Sequence, residues 1–182
     1  MFSWFAGRQI DVFERQWGYD CGYLREILAK AGIGALLPLN ALEKVSAYRR
    51  DVPADVYYAA KITAAIGADC GPCAQLVVTM AEAAGVDLPI LRAVVSGERD
   101  SLPYDAALGV DLARATLLRE PGVDVREAIV QRWGQRALVS LAYGIVAAQA
   151  YPAFKYAIGH GHECSHLRVG GVDVARRDAI PA

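Results

Sequence analysis

The chain has 182 residues, of which 54% are hydrophobic and 21% are charged, and this balance predicts one globular domain over residues 1–182 and excludes a disordered chain. Its formal net charge is −1 and its basic residues form no run, so we expect no nucleic-acid partner. Four cysteines are too few for a secreted scaffold held together by disulfides.

Residues 1–18 are predicted to form an N-terminal amphipathic helix that ends at Gly18, with Ala6, Ile10, Phe13 and Trp17 on one stripe. The segment lacks the basic start and long apolar run of a signal peptide, so we expect a cytoplasmic protein. Its aromatic residues could lie on a membrane surface, but its charges are mixed in sign. Packing against the rest of the chain or against another subunit is the favoured interpretation.

Glycines, prolines and capping residues divide the following sequence into further helices. Two of these helices are predicted to open on capping pairs, Asn40 with Glu43 and Asp124 with Glu127. The predicted helices cover approximately residues 23–31, 40–50, 53–66, 72–84, 89–96, 103–120 and 124–133, and a long apolar helix follows Gly134.

The long apolar helix contains an uncharged stretch, residues 137–154, that is about long enough to cross a bilayer. It also contains Ser140, Tyr143, Gln149 and Pro152, together with several small residues. We therefore interpret it as a buried helix in a helical core or an oligomer interface, and we expect no membrane partner.

The C-terminal residues 159–182 are predicted to form a loop followed by a short hairpin. Residues 167–174 alternate with a period of two around Gly170 and Gly171, which favours a β-hairpin. The predicted fold class is therefore all-α, with a short C-terminal β-hairpin.

The segment Cys70-Gly71-Pro72-Cys73 is the strongest functional signal in the sequence. Two thiols at this spacing can close a disulfide within one helical turn. Pro72 suits the first position of a helix, which places Cys73 in the first turn, where the helix dipole favours a thiolate. The pattern favours redox chemistry, and the alternatives are half of a structural zinc site or two buried cysteines.

Thioredoxin carries the same four residues, but directly after a buried β-strand. Here residues 56–66 precede the motif and lack the alternation of a strand, so they predict a helix. The thioredoxin interpretation is therefore unfavoured.

The Cys-x-x-Cys pair follows a predicted helix and a short break that contains Gly67, and it opens the next helix. This arrangement resembles the alkylhydroperoxidase-D (AhpD) / carboxymuconolactone decarboxylase superfamily. The resemblance covers approximately residues 51–96. It implies an all-α AhpD-like bundle, a homo-oligomer and a thiol pair that reduces peroxides or exchanges disulfides without a further cofactor. It also implies that Cys73 attacks and that Cys70 resolves.

The sequence departs from the superfamily at the two positions of its proton relay. The expected His after the second cysteine is Val77, and the expected Glu before the first cysteine is Tyr58. Val77 cannot carry a proton, and Tyr58 is a poor base near neutral pH. Asp69 could accept a proton, although a surface cap is the favoured interpretation.

All three histidines lie in the segment 160–166, together with one cysteine. In an extended chain His160, His162, Cys164 and His166 would point to one side, and imidazole with thiolate suits zinc. The alternatives are a polar loop, or a histidine that folds back to serve as the base near Cys73. Cys21 is interpreted as a small buried residue.

The sequence therefore favours an AhpD-like, cytoplasmic thiol oxidoreductase whose catalytic residues are Cys70 and Cys73. Its substrate would be a small hydroperoxide or a partner disulfide. The competing hypothesis is a zinc-binding or structural protein that combines the cysteine pair with residues 160–166. A lyase is a third hypothesis, which the cysteine pair disfavours because the lactone decarboxylases of the superfamily typically lack it.

Overall fold

The computed structural model describes residues 2–162 and 166–176, and it confirms an all-α fold with a short C-terminal β-hairpin. Single turns of 3-10 helix precede α3 and α7. The helices are α1 (Phe2–Trp17), α2 (Gly22–Lys30), α3 (Leu37–Ser46), α4 (Ala54–Gly67), α5 (Gly71–Ala83), α6 (Leu88–Ser96), α7 (Tyr104–Leu118), α8 (Val123–Trp133) and α9 (Gln135–Ala157), and the strands are β1 (His166–Val169) and β2 (Val172–Ala175).

Two predicted helix starts are wrong, each for a local reason. Pro38 occupies the first turn of α3, so that helix begins before Asn40, which lies inside it, and ends at Ser46. Gly122 adopts the left-handed conformation and caps α8, so that Asp124 falls within the first turn. In both cases a residue with fixed or unusual backbone angles sets the boundary in place of the predicted side-chain cap.

Helix α4 lies at the centre of the fold, between α7 and α9 and beside α5. Its residues from 59 to 66 are all buried, which suits a helix whose alanines and isoleucines surround its axis. Small residues let its neighbours approach closely. A Cβ atom added at Gly109 of α7 would lie 2.3 Å from the carbonyl oxygen of Val56.

A second apolar cluster joins the N-terminal helices to the rest of the chain. Its buried members are Ile10, Tyr19, Cys21, Tyr23 and Leu36, and Leu76 of α5 and Phe154 of α9 pack against them. Arg25 of α2 pairs with Asp11 of α1 at 2.7 Å. The residues 4–36 therefore form a cover over one face of α5 and α9, as the packing interpretation of the N-terminal helix expects.

Helix α9 is the one helix of the described residues that is long and apolar enough to cross a membrane. Within its most apolar window, 44% of the residues are buried inside the protein, where the helix contacts α3, α4 and α8. Val139, Tyr143 and Val146 are exposed on its other side.

The hairpin is antiparallel, and its register pairs His166 with Ala175 and Val169 with Val172 across the predicted Gly170-Gly171 turn. It packs on α5 through buried Leu167 and Val169. Gln75 forms two hydrogen bonds with the backbone of Arg168, at 3.0 and 2.7 Å. These bonds seat the C-terminal segment beside the helix that carries the cysteines.

The contact between α4 and α7 gives a test of packing. We expect Gly109→Ala to lower the free energy of unfolding by about 1–3 kcal/mol, because the new methyl group meets backbone that cannot rotate away. Gly7→Ala in α1 is the matched control. Nothing lies within 4 Å of its added Cβ, so we expect this substitution to raise stability by about 0.5–1 kcal/mol. Urea denaturation measures both values, and equal effects would contradict the close approach.

Candidate redox site

The two predicted catalytic cysteines lie together at the start of α5, as their spacing requires. Cys70 is the N-cap residue in an extended conformation, and Pro72 occupies the first turn. Asp69 turns the chain out of α4 with a φ of 51°, and the carbonyl of Cys70 accepts the N–H of Ala74 at 2.9 Å. Cys70 is fully buried and Cys73 is 6% exposed.

The segment that follows α9 folds back onto this turn. The backbone N–H of Gly71 donates to the carbonyl oxygen of His162 at 3.0 Å, and the N–H of His162 donates to the sulfur of Cys70. The chain passes so close to Tyr156 that a Cβ at Gly161 would lie 2.2 Å from its ring. The histidine segment therefore reaches the cysteine pair through its backbone, while the side chain of His162 is exposed.

The groups around the pair lower the pKa of Cys70 and raise that of Cys73. The Cys73 thiol donates to the Cys70 sulfur, as do the N–H groups of Cys73 and His162, and Lys155 adds a positive charge. Together they outweigh burial and lower the pKa of Cys70 to about 6. The pKa of Cys73 is raised, because its proton is held in the bond to Cys70 and because the group is buried.

Tyr19 and Lys155 complete the site, and the sequence analysis predicted neither. The Tyr19 hydroxyl lies 4.0 Å from the Cys73 sulfur, and the Lys155 ammonium donates to the Tyr19 oxygen at 3.1 Å. Lys155 is only 4% exposed and lies 5.2 and 5.1 Å from the ring centres of Tyr19 and Tyr23. A chain of donors thus runs from Lys155 through Tyr19 and Cys73 to Cys70.

The residues at the expected relay positions have other neighbours. Val77 is 6% exposed and belongs to the central core. Tyr58 packs against the Tyr57 ring, and burial raises its pKa while the charge of Arg49 opposes that effect. Asp69, considered above as a proton acceptor, forms an ion pair with Arg176 at 2.5 Å.

The histidines do not converge in the part of the chain that the structure describes. His160 bonds to Glu26 at 2.8 Å, whereas His166 is exposed in β1. Among residues 2–162 and 166–176, no group of three or more histidine, cysteine or acidic side chains could hold a metal ion. Cys164 lies outside the described residues, so the predicted zinc site that includes it stays a prediction. Cys21 is buried as predicted, and burial raises its pKa to about 11.

No family model, curated protein or solved structure matches the chain. The superfamily resemblance therefore stays a prediction, and the chemistry of the site is argued from its own geometry.

The charge of Lys155 can be tested by titrating the Cys70 thiolate. Subtracting the ultraviolet absorbance of Cys70→Ser from that of the intact protein should give a midpoint near pH 6. We expect Lys155→Met to raise that midpoint by about one pH unit, because the thiolate loses a neighbouring cation. Lys30→Met removes the same charge from a side chain that is 75% exposed, and it should leave the midpoint unchanged. A midpoint near 6 in Lys155→Met would contradict the assigned role.

Proposed function

We propose that the protein is a thiol oxidoreductase in which Cys70 and Cys73 cycle between dithiol and disulfide. The observation that carries the proposal is the pairing of two buried cysteines at the N-cap and in the first turn of α5, beside the buried Lys155, in surroundings that lower the pKa of Cys70. A purely structural pair of buried cysteines needs no such surroundings. Thiolates are the reactive form in attack on peroxides and disulfides.

The proposed substrate is a small hydroperoxide. A thiolate attacks the terminal peroxide oxygen, which forms a sulfenic acid and releases an alkoxide that takes up a proton. The second thiol then attacks the sulfenic sulfur, which forms the Cys70–Cys73 disulfide and releases water. An external dithiol returns the pair to the reduced form by exchange.

The low exposure of the pair favours the small substrate over a partner disulfide. Cys70 is fully buried and Cys73 is 6% exposed beneath Tyr19, so a bulky disulfide would have to displace the N-terminal cover. We keep exchange with a small external dithiol as the step that regenerates the pair, because the same limit on access applies to the reductant. A cytoplasmic homo-oligomer without nucleic-acid or membrane partners remains part of the proposal.

The roles of the two cysteines are open to a direct test. The superfamily resemblance implies that Cys73 attacks. The hydrogen-bond directions favour the reverse, since the pKa of Cys70 is lowered and that of Cys73 is raised. We therefore propose that Cys70 attacks and that Cys73 resolves.

The redox proposal predicts that one equivalent of hydroperoxide removes two thiols from the intact protein and from Cys21→Ser, whose thiol is not part of the pair. Cys70→Ser and Cys73→Ser should form no intramolecular disulfide. Thiol counting and mass spectrometry of the tryptic peptides measure both results. Thiols that stay reduced under excess hydroperoxide in the intact protein would refute the oxidoreductase.

A sulfenic-acid trap distinguishes the two cysteines. We expect Cys73→Ser, in which the serine hydroxyl still donates to Cys70, to be trapped at Cys70 after exposure to hydroperoxide. Cys70→Ser should be trapped much more slowly, because burial still raises the pKa of the Cys73 thiol after the bond to the Cys70 sulfur is lost. Faster trapping at Cys73 would reverse the assigned roles and restore the assignment that the resemblance implies.

A further inference from the structure

A second buried lysine lies in the middle of α4, away from the residues of the redox site. Lys61 is 6% exposed, and its ammonium lies 2.7 Å from the hydroxyl oxygen of Ser46 and 3.3 Å from the carbonyl oxygen of the same residue. The ring of Tyr57 lies beneath it, with its centre 5.7 Å from the nitrogen. These neighbours of the Lys61 nitrogen are uncharged.

Burial without a counter-charge favours the neutral amine. The pKa of Lys61 falls to about 8, and burial is the cause. The charged groups on the adjacent elements do not offset this effect. Arg49, which follows α3, is itself a cation, and the α7 carboxylates Asp105 and Asp111 pair with arginines. On α9, Arg136 pairs with Asp51. The neutral Lys61 amine, which can accept a proton, therefore becomes the main form above about pH 8.

Ser46 is held in place and is half-exposed, so that reagents in solution can reach it. It is the last residue of α3, and the Tyr57 hydroxyl donates to its carbonyl oxygen at 2.6 Å. The Tyr57 ring is fixed in turn by Gly144 of α9, where an added Cβ would lie 3.0 Å from the ring. Contacts among three helices therefore hold the Ser46 backbone beside the lysine nitrogen.

We propose that Ser46 and Lys61 form a nucleophilic serine–lysine pair that accepts acyl groups from small esters. A serine hydroxyl becomes a useful nucleophile when an adjacent base takes its proton, and a neutral lysine amine can be that base. The observed separation of 2.7 Å is within the range over which such a proton moves.

The proposed step balances without a further reactant. The neutral Lys61 amine takes the hydroxyl proton while the Ser46 oxygen bonds to the ester carbonyl carbon. The ester bond then breaks, and its alcohol leaves with the proton returned from Lys61. Water hydrolyses the acyl-serine by the same proton transfer, which releases the carboxylic acid.

Helix α6 offers a matched control within the chain. Ser96 is also half-exposed and is also the last residue of its helix, but its hydroxyl donates to the carbonyl oxygen of Arg92 at 2.9 Å. It differs from Ser46 in having a backbone acceptor where Ser46 has a lysine. Reactivity that depends on the lysine should therefore appear at Ser46 and not at Ser96.

A fluorophosphonate probe tests the pair, because its reaction forms an oxygen–phosphorus bond at a nucleophilic serine, releases fluoride and leaves the proton on the base. We expect mass spectrometry to find the label on Ser46. The labelling rate should rise with pH through about 8 and then level, since the neutral form of Lys61 is the base. Lys61→Met and Lys61→Arg should slow labelling by about a hundredfold, the arginine because it keeps a charge that does not titrate.

Three results would overturn the proposal: labelling of Ser46 no faster than that of Ser96, a label on Lys61 in place of Ser46, or unchanged labelling in Lys61→Arg. The first two are measured on the unaltered protein and do not depend on whether a variant folds. Ser46→Ala should leave hydroperoxide reduction by the cysteines unchanged, so the two proposals fail independently.

Discussion

The close packing of α4 against its neighbours is the constraint on which the rest of the structure depends. The helix is buried over most of its length, and α7 approaches it so closely that only a glycine fits at position 109. The last residue of α4 also lies close to α7, since a Cβ added at Gly67 would lie 2.7 Å from the Leu117 side chain. Cys70 is the third residue beyond that end, so the position of the thiols depends on the packing of a helix that contributes no atom to them.

Two lysines are buried among the described residues, and neutral oxygen atoms accept their hydrogen bonds. Burying a cation without a carboxylate destabilises a fold unless other groups compensate, and here aromatic rings and oxygen acceptors lie around each nitrogen. Near Lys155 lies the Cys70 thiol, whose pKa the lysine charge helps to lower. The neighbours of the Lys61 nitrogen are uncharged, which is why burial lowers the pKa of that amine.

The sequence predicted the features that depend on neighbouring residues. Pro72 and the cysteine spacing placed both thiols at a helix start, and the paired glycines placed the hairpin turn. The predicted start of α3 at Asn40 was wrong, because the fixed backbone angle of Pro38 lets the helix begin earlier than the predicted side-chain cap. Tyr19 and Lys155 escaped prediction because they lie 136 positions apart in the sequence, and only packing brings them together. A weak signal existed, since Lys155 is the first charged residue after the uncharged stretch that ends at residue 154.

The seating of the hairpin on α5 has a consequence for the order in which the site is assembled. Arg168, which bonds to Gln75, follows it by 93 positions, and His162 and Lys155 also come from the later part of the chain. Synthesis proceeds from the N-terminus, so Cys70 and Cys73 leave the ribosome before the groups that bury them and set their charge. During that interval both thiols have the ordinary acidity of a solvated cysteine. The lowered pKa of Cys70 is therefore acquired only when the C-terminal segment folds back onto the start of α5.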